Sequence, residues 1–355
     1  MKTISSAGLL LTALCVISLT TSHTALAQRA EQGEKPVATA SGAMASSSHP
    51  RVTNAILDVL RGGGNAVDAM LTAIPLQHVI EPQMSTLAGG MGGLIYWAET
   101  GELIYLDAEL DHTQDAPAAS SMARPQQVAV TSGERIGVPG TVAGLAAAAE
   151  RYGTREWADY FEPAIAAAAD GFTMYSFLYG EMYAAFERLG VHPSTREKWM
   201  PNGFLPTVGD VVKQPALADT LIQLAGDGPE YFTEGAWAQR FVDEVNRTGG
   251  NITLDELSGY RPRWVEPLQF EYLGNRLVGA PPASTAGVLN GMIFNILAQS
   301  NLRELGHYTE SAESFFLIRN AYEQAESFTN SFIGDPSSRS IPVDALLSPD
   351  FGRQL

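Results

Sequence analysis

Cysteine is nearly missing from this sequence. The one cysteine, Cys15, falls in the first apolar stretch, so once that stretch is removed the chain has no thiol for a disulfide framework, a thiolate nucleophile or a cysteine metal site. Histidines are few and scattered. His49, His78, His112, His192 and His307 form no His-x-x-x-His pair and sit with no carboxylates at ligand spacing, so no metal and no other cofactor is expected. His112, between Asp111 and Asp115, reads as part of a solvated acidic turn. Positive charge is also short, with 22 Lys and Arg against 39 Asp and Glu and a formal net charge of −17. Such a surface repels phosphate backbones, and no nucleic-acid partner is expected. Beyond the N-terminus no stretch approaches the roughly 18 uninterrupted apolar residues that a membrane helix needs, which removes the membrane as a partner.

The N-terminus has the layout of a secretory signal. Lys2 is followed by an apolar run from about Ala7 to Leu19 and by "ALA" before Gln28, which predicts cleavage after Ala27 and export to the periplasm or the medium. Leu14, ahead of Cys15, is not the small residue that precedes a lipid-modified cysteine, so a lipoprotein is not expected. Residues 28–36 read as a polar linker, and residues 37–355, in a chain 45% hydrophobic, are enough to bury a sizeable core as one large domain or two smaller ones.

Along that region "VATASGAMASSSHP" suits a buried strand flanked by a turn. Arg51 to Leu60 has helical spacing, "NAVDAMLTAIPLQHVI" restarts a helix capped by Asn65 with a kink at Pro75, and "LIYWAETGELIYLDA" reads as a hairpin joined by Glu99, Thr100 and Gly101. The alanine-rich runs ending at Gly153 and Gly171 predict scaffold helices, and Thr253 with Glu256 forms a capping box. "LQFEYLGNRLVGA" predicts a second hairpin turning at Gly274 and Asn275. Hairpins dominate the strand pairs, which predicts an α+β fold with antiparallel sheet covered by helices.

Two glycine clusters flank the second helix, Gly62–Gly64 and Gly89–Gly93 around Met91. Neither is a phosphate cradle. No lysine stands in the Walker position, and the second cluster precedes a strand where a dinucleotide fingerprint follows one. The remaining reading is a left-handed helix cap at the first cluster and close chain packing at the second. Ser85 and Thr86 lack the Gly-x-Ser-x-Gly elbow of a hydrolase nucleophile. Asn246 and Asn251 head Asn-x-Thr triplets, which matter only in a glycosylating host.

Six segments taken in order, "ASSSHPRVTNAILDVLRGGGNAVDAM", "EPQMSTLAGGMGGLIYWAETGELIYLDAE", "GVPGTVAGL", "EPAIAAAADGF", "ITLDELSGY" and "GAPPASTAG", resemble the landmarks of the large subunit of gamma-glutamyltranspeptidases. The resemblance implies the αββα sandwich of an N-terminal-nucleophile hydrolase, with both glycine clusters inside its packed core. It also implies a mechanism. A threonine exposed by self-cleavage at the start of a small catalytic subunit attacks the gamma-glutamyl amide of glutathione or a related donor, and backbone N–H groups of that subunit hold the oxyanion. No catalytic residue of this kind is found here. "IPVDALLSPDFGRQL" resembles a family segment ahead of the cleavage point, and Ser348 and Pro349 open a helix of fewer than two turns, so a large-subunit portion truncated before the small subunit is expected.

One departure concerns the substrate. Where the family carries an arginine that pairs with the donor's α-carboxylate, the segment here is "LDAELDHTQDAP". Counting from Asp107 places Glu109 at that position; counting back from Ala116 and Pro117 places Thr113 there. Neither can replace a guanidinium; Arg135 from a neighbouring loop is a candidate substitute, but it reads first as an ordinary exposed structural arginine. The resemblance therefore leaves three readings: a gamma-glutamyltransferase half, a relative acting on other acyl amides such as glutaryl side chains, or a non-catalytic remnant or binding protein that keeps the fold.

Overall fold

The computed structural model describes residues 37–113, 132–282, 284–332 and 340–355. The expected signal sequence and linker lie outside them. Contacts divide the chain into two units, residues 1–44 and 45–355. In the first, Val37 to Met44 is irregular, exposed backbone, and residues 45–49 of the second carry no strand either, which corrects the strand expected at this point. A run of alanine, serine and glycine supplies too little apolar area to hold an extended segment in place.

In the larger unit, helix α1 (Pro50–Arg61) begins with His49 as cap, its Nδ1 accepting from the Arg51 N–H at 3.1 Å. Gly62 closes it, and Gly63 takes the left-handed conformation, φ 87°, that turns the chain into the next helix. Helix α2 (Ala66–Ile80) starts from a reciprocal box: the Asn65 side chain accepts from the Val67 and Asp68 N–H groups, and Asp68 accepts from the Asn65 N–H. Pro75 does not end it; the helix continues to Ile80. Leu71, Leu76, Val79 and Ile80 make α2 the axis of the main core, each contributing about 1.5–3 kcal/mol by burial.

Strands β1 (Met91–Trp97) and β2 (Glu102–Ala108) pair from Met91 with Ala108 to Trp97 with Glu102, and Gly101, φ 72°, carries the turn. Helix α3 (Thr141–Tyr152) packs on the inner face of this hairpin, and α4 (Glu162–Asp170) on α2. Two short strands, β3 (Phe172–Thr173) and β4 (Val211–Val212), pair with each other. Helix α5 (Pro215–Asp227) completes the main core. Helices α6 (Ala236–Arg247) and α7 (Leu254–Gly259) form a second cluster with Val138, Ile252 and Tyr260, and the capping box of Thr253 and Glu256 opens α7.

Strand β5 (Arg263–Val265) then joins the first hairpin as its third strand, in the order β1-β2-β5, all antiparallel. The second hairpin, β6 (Leu268–Tyr272) and β7 (Asn275–Gly279), turns at Leu273 and Gly274, one residue earlier than the sequence suggested. Both turn residues have positive φ, 52° and 76°, while Asn275 pairs with Tyr272 and steadies the turn through its side-chain amide. Helices α8 (Thr285–Leu297) and α9 (Ala312–Phe332) pack together, and the last helix, α10 (Pro349–Gln354), lies against α8 with Gly352 on Asn295. Its cap is Ser348, as expected. The fold is α+β.

Candidate functional site

The site grows from the two-residue period of β2. Tyr105, Asp107 and, one residue past the strand, Glu109 alternate along the outer face of the sheet, while Leu106 and Ala108 point into the core. In the antiparallel register Asp107 stands between Gly92 of β1 and Arg263 of β5. Asp107 is only 4% exposed, and Arg263 Nε donates to it at 3.1 Å while Arg263 Nη1 reaches Asp111 at 3.3 Å. A single guanidinium therefore bridges two carboxylates.

The second glycine cluster lies directly beside this row. The Gly89 carbonyl accepts from the N–H groups of Gly140 and Thr141, at 2.9 and 3.0 Å, and so fixes the glycine-rich bend ahead of β1, the glycine elbow, to the start of α3. A Cβ on Gly92 would lie 1.8 Å from the Tyr105 hydroxyl, and one on Gly90 would lie 2.7 Å from the Leu110 nitrogen and 2.9 Å from a Glu109 carboxylate oxygen. Any side chain here would displace its neighbours. Close packing is thus the role of the cluster, as the sequence indicated.

Glu109 is half-buried, and its carbonyl accepts from the Tyr260 hydroxyl at 2.7 Å. Its carboxyl is pushed up from the usual value by burial and by the neighbouring Asp107. Among the described residues no cation reaches that carboxylate; Arg263 is committed to Asp107 and Asp111. Burial, with Glu109 and Asp107 nearby, raises the Tyr105 phenol to about 12, so it stays neutral across the physiological range.

The two candidate positions from the sequence have different surroundings. Glu109 sits on the lip of the glycine elbow, whereas Thr113 is buried with its hydroxyl donated to Asn251 Oδ1 at 3.1 Å. Arg135 is exposed in a short 3-10 turn, Gly133–Arg135. His112 is exposed, and Asp115, Ala116 and Pro117 lie outside the described residues. Ser85 keeps a buried hydroxyl without a partner among the described residues, and Thr86 accepts from the Ala88 N–H. The sequence reading missed Tyr105, Tyr260 and Arg263. The Tyr-x-Asp-x-Glu alternation was a legible signal for the first; nothing local announces that β5 would bring Arg263 to Asp107.

Residues 52–355 match the family model described as gamma-glutamyltranspeptidase. The chain is 37% identical over 245 residues to glutathione hydrolase 2 of Arabidopsis thaliana, covering 68% of this chain and 42% of that protein. It is 29% identical over 317 residues to the glutathione hydrolase proenzyme of Bacillus subtilis strain 168, covering 87% and 53%. The chain thus spans about half the length of the curated relatives it matches. Among solved structures, the gamma-glutamyltranspeptidase of Helicobacter pylori superposes with a TM-score of 0.81 at 28% identity, covering 90% of this chain and 92% of that one. Cephalosporin acylase from Bacillus halodurans shares the fold at a TM-score of 0.77 and 24% identity, covering 92% and 62%.

Proposed function

Because the chain belongs to the gamma-glutamyltranspeptidase family, with its N-terminal-nucleophile hydrolase fold, we propose that it serves as the large-subunit half of an exported acyltransferase or hydrolase of gamma-glutamyl amides such as glutathione. The threonine nucleophile and oxyanion donors come from a small catalytic subunit that these 355 residues do not contain. The observation that carries the reading is the superposition on a gamma-glutamyltranspeptidase over nine-tenths of the chain. Export rests on the N-terminal pattern, with a mature start at Gln28.

A second reading draws on Glu109. A carboxylate on the elbow lip repels a donor's α-carboxylate, which favours a related acyl-amide donor without that group, such as a glutaryl amide. Co-production with a threonine-initiated small subunit tests both. Release of the aniline from a gamma-glutamyl anilide supports the first reading, and faster release from the glutaryl anilide supports the second. Release from neither, by a complex seen to form, leaves a protein that keeps the fold without the chemistry. The 355-residue chain by itself is expected to match a heat-killed control.

A further inference from the structure

We propose that the cavity between the start of α1 and the junction of α4 with β3 binds a small zwitterion with an aromatic body, its carboxylate held by Arg51 and its ammonium by Asp170. The cavity shares no residue with the carboxylate row of β2, and the inference holds or fails independently of the catalytic reading.

The cavity measures about 460 Å³, in the lower half of the roughly 300–1,000 Å³ range of small-molecule sites. Arg51 stands in the first turn of α1, and Asp170 is the last residue of α4. Each charge thus has the sign that its own helix end disfavours, a cation at the positive N-terminus and an anion at the negative C-terminus. Neither is relieved by a neighbour. Among the described residues neither forms an ion pair, and the two do not pair with each other although both line this cavity. Two unfavourable placements of opposite sign, set apart on one void, are what a ligand carrying both complementary charges corrects.

The guanidinium is also held in place. Arg51 Nη1 donates to the Gly171 carbonyl at 3.1 Å, which ties it to the α4–β3 junction and leaves most of its five N–H donors for a carboxylate. His49 supplies another donor: its Nδ1 accepts from the Arg51 N–H, so the ring carries its hydrogen on Nε2, which has no partner among the described residues. Much of the remaining lining is apolar, with the Phe172 ring, the exposed Val211 side chain and the Tyr175 ring 5.0 Å from that of His49. The Tyr175 hydroxyl is already bonded to Gln83 and the Ile80 carbonyl, so this residue offers its ring and not its oxygen.

These groups select the ligand. A simple anion would satisfy Arg51 but meet Asp170 with like charge, and a simple amine would do the reverse. A divalent metal finds no group of three His, Cys, Asp or Glu to hold it among the described residues. A free α-amino acid with an aromatic side chain has both charges and a ring, and contact of that ring with Tyr175 and His49 favours it over smaller zwitterions.

The test titrates the purified mature chain with L-phenylalanine in a calorimeter, and one saturable site is expected. The partial ligands 3-phenylpropionate, without the ammonium, 2-phenylethylamine, without the carboxylate, and glycine, without the ring, should each bind about ten-fold more weakly or worse. Arg51→Met removes the guanidinium but keeps most of the stem, and should weaken L-phenylalanine by about ten-fold or more. Arg51→Lys, with the charge but no fork, should fall between. Asp170 is exposed, so Asp170→Asn keeps the fold and should weaken binding by a few-fold; it serves if the Arg51 variants do not fold. The proposal is overturned if L-phenylalanine gives no saturable heat, if Arg51→Met or Asp170→Asn binds it as well as wild type, or if any of the three partial ligands binds as tightly.

Discussion

Asp68 is a carboxylate without water: it is 0% exposed and accepts from the Asn65 N–H, the Thr154 N–H and hydroxyl, and the Tyr160 hydroxyl. Burial alone would raise its pKa, but the donors on Thr154, Asn65 and Tyr160 outweigh it and hold the carboxyl below its usual value. The stability it confers is present above the unfolded carboxylate pKa and is lost as pH falls through the lower folded value. Asp68→Asn keeps the shape but sets an N–H₂ against donors, so it is expected to cost about 2–4 kcal/mol, read as a lower urea midpoint at unchanged slope. His78 adds to the same acid loss, with burial as the cause. Its Nδ1 is sealed without a partner among the described residues, and burial lowers its pKa from 6.5 to about 4. The unfolded chain binds this proton first, so the folded state loses stability as pH falls from about 6.5 to about 4, by roughly 3 kcal/mol in all. In His78→Leu that part of the acid loss should vanish. Parallel stability-against-pH curves for variant and wild type would show that His78 does not titrate this way.

At the level of elements, α3 meets β2 through small residues. A Cβ on Gly144 would lie 2.5 Å from the Ala108 Cβ and 3.0 Å from the Met91 sulfur. Alanine would raise helix propensity by about 0.5–1 kcal/mol, but overpacking a closed contact costs about 1–3 kcal/mol, so Gly144→Ala is expected to destabilise by about 1–2 kcal/mol in thermal unfolding. An unchanged or higher melting temperature would mean that the contact yields. This scale also marks what could be read in advance. The boxes at Asn65–Asp68 and Thr253–Glu256, the Gly101 turn and the helix stops at Gly153 and Gly171 are set by bonds within four residues, and the sequence displays them. The strand expected near residues 37–49 fails because period-two spacing of tiny side chains carries no burial. The hairpin turn slips by one residue because Leu273 accepts a positive φ that the composition did not suggest. The site itself was half legible. Glu109 stood out against a family pattern, but the ion pair that frees it from Arg263 joins residues 156 apart in sequence, and only the sheet register creates it.

For the whole molecule, the decisive comparison sets the two candidate positions against each other in an assembled pair of subunits. Thr113 is buried and bonded to Asn251, so an arginine there has no room and removes a hydrogen bond; Thr113→Arg should lower stability without helping catalysis. Glu109 lies at the elbow lip, beside bare glycine backbone, where a longer side chain can swing outward. Exchanging its carboxylate for a guanidinium replaces repulsion of a donor α-carboxylate by a charge-assisted contact of about 1.5–3 kcal/mol. Since each 1.4 kcal/mol is about a factor of ten, kcat/KM for glutathione is expected to rise about ten-fold or more in Glu109→Arg. Efficient use of glutathione by the unaltered pair, or a gain at Thr113→Arg in place of Glu109→Arg, would mean that another group holds the donor carboxylate and that Glu109 is not the residue that sets donor choice.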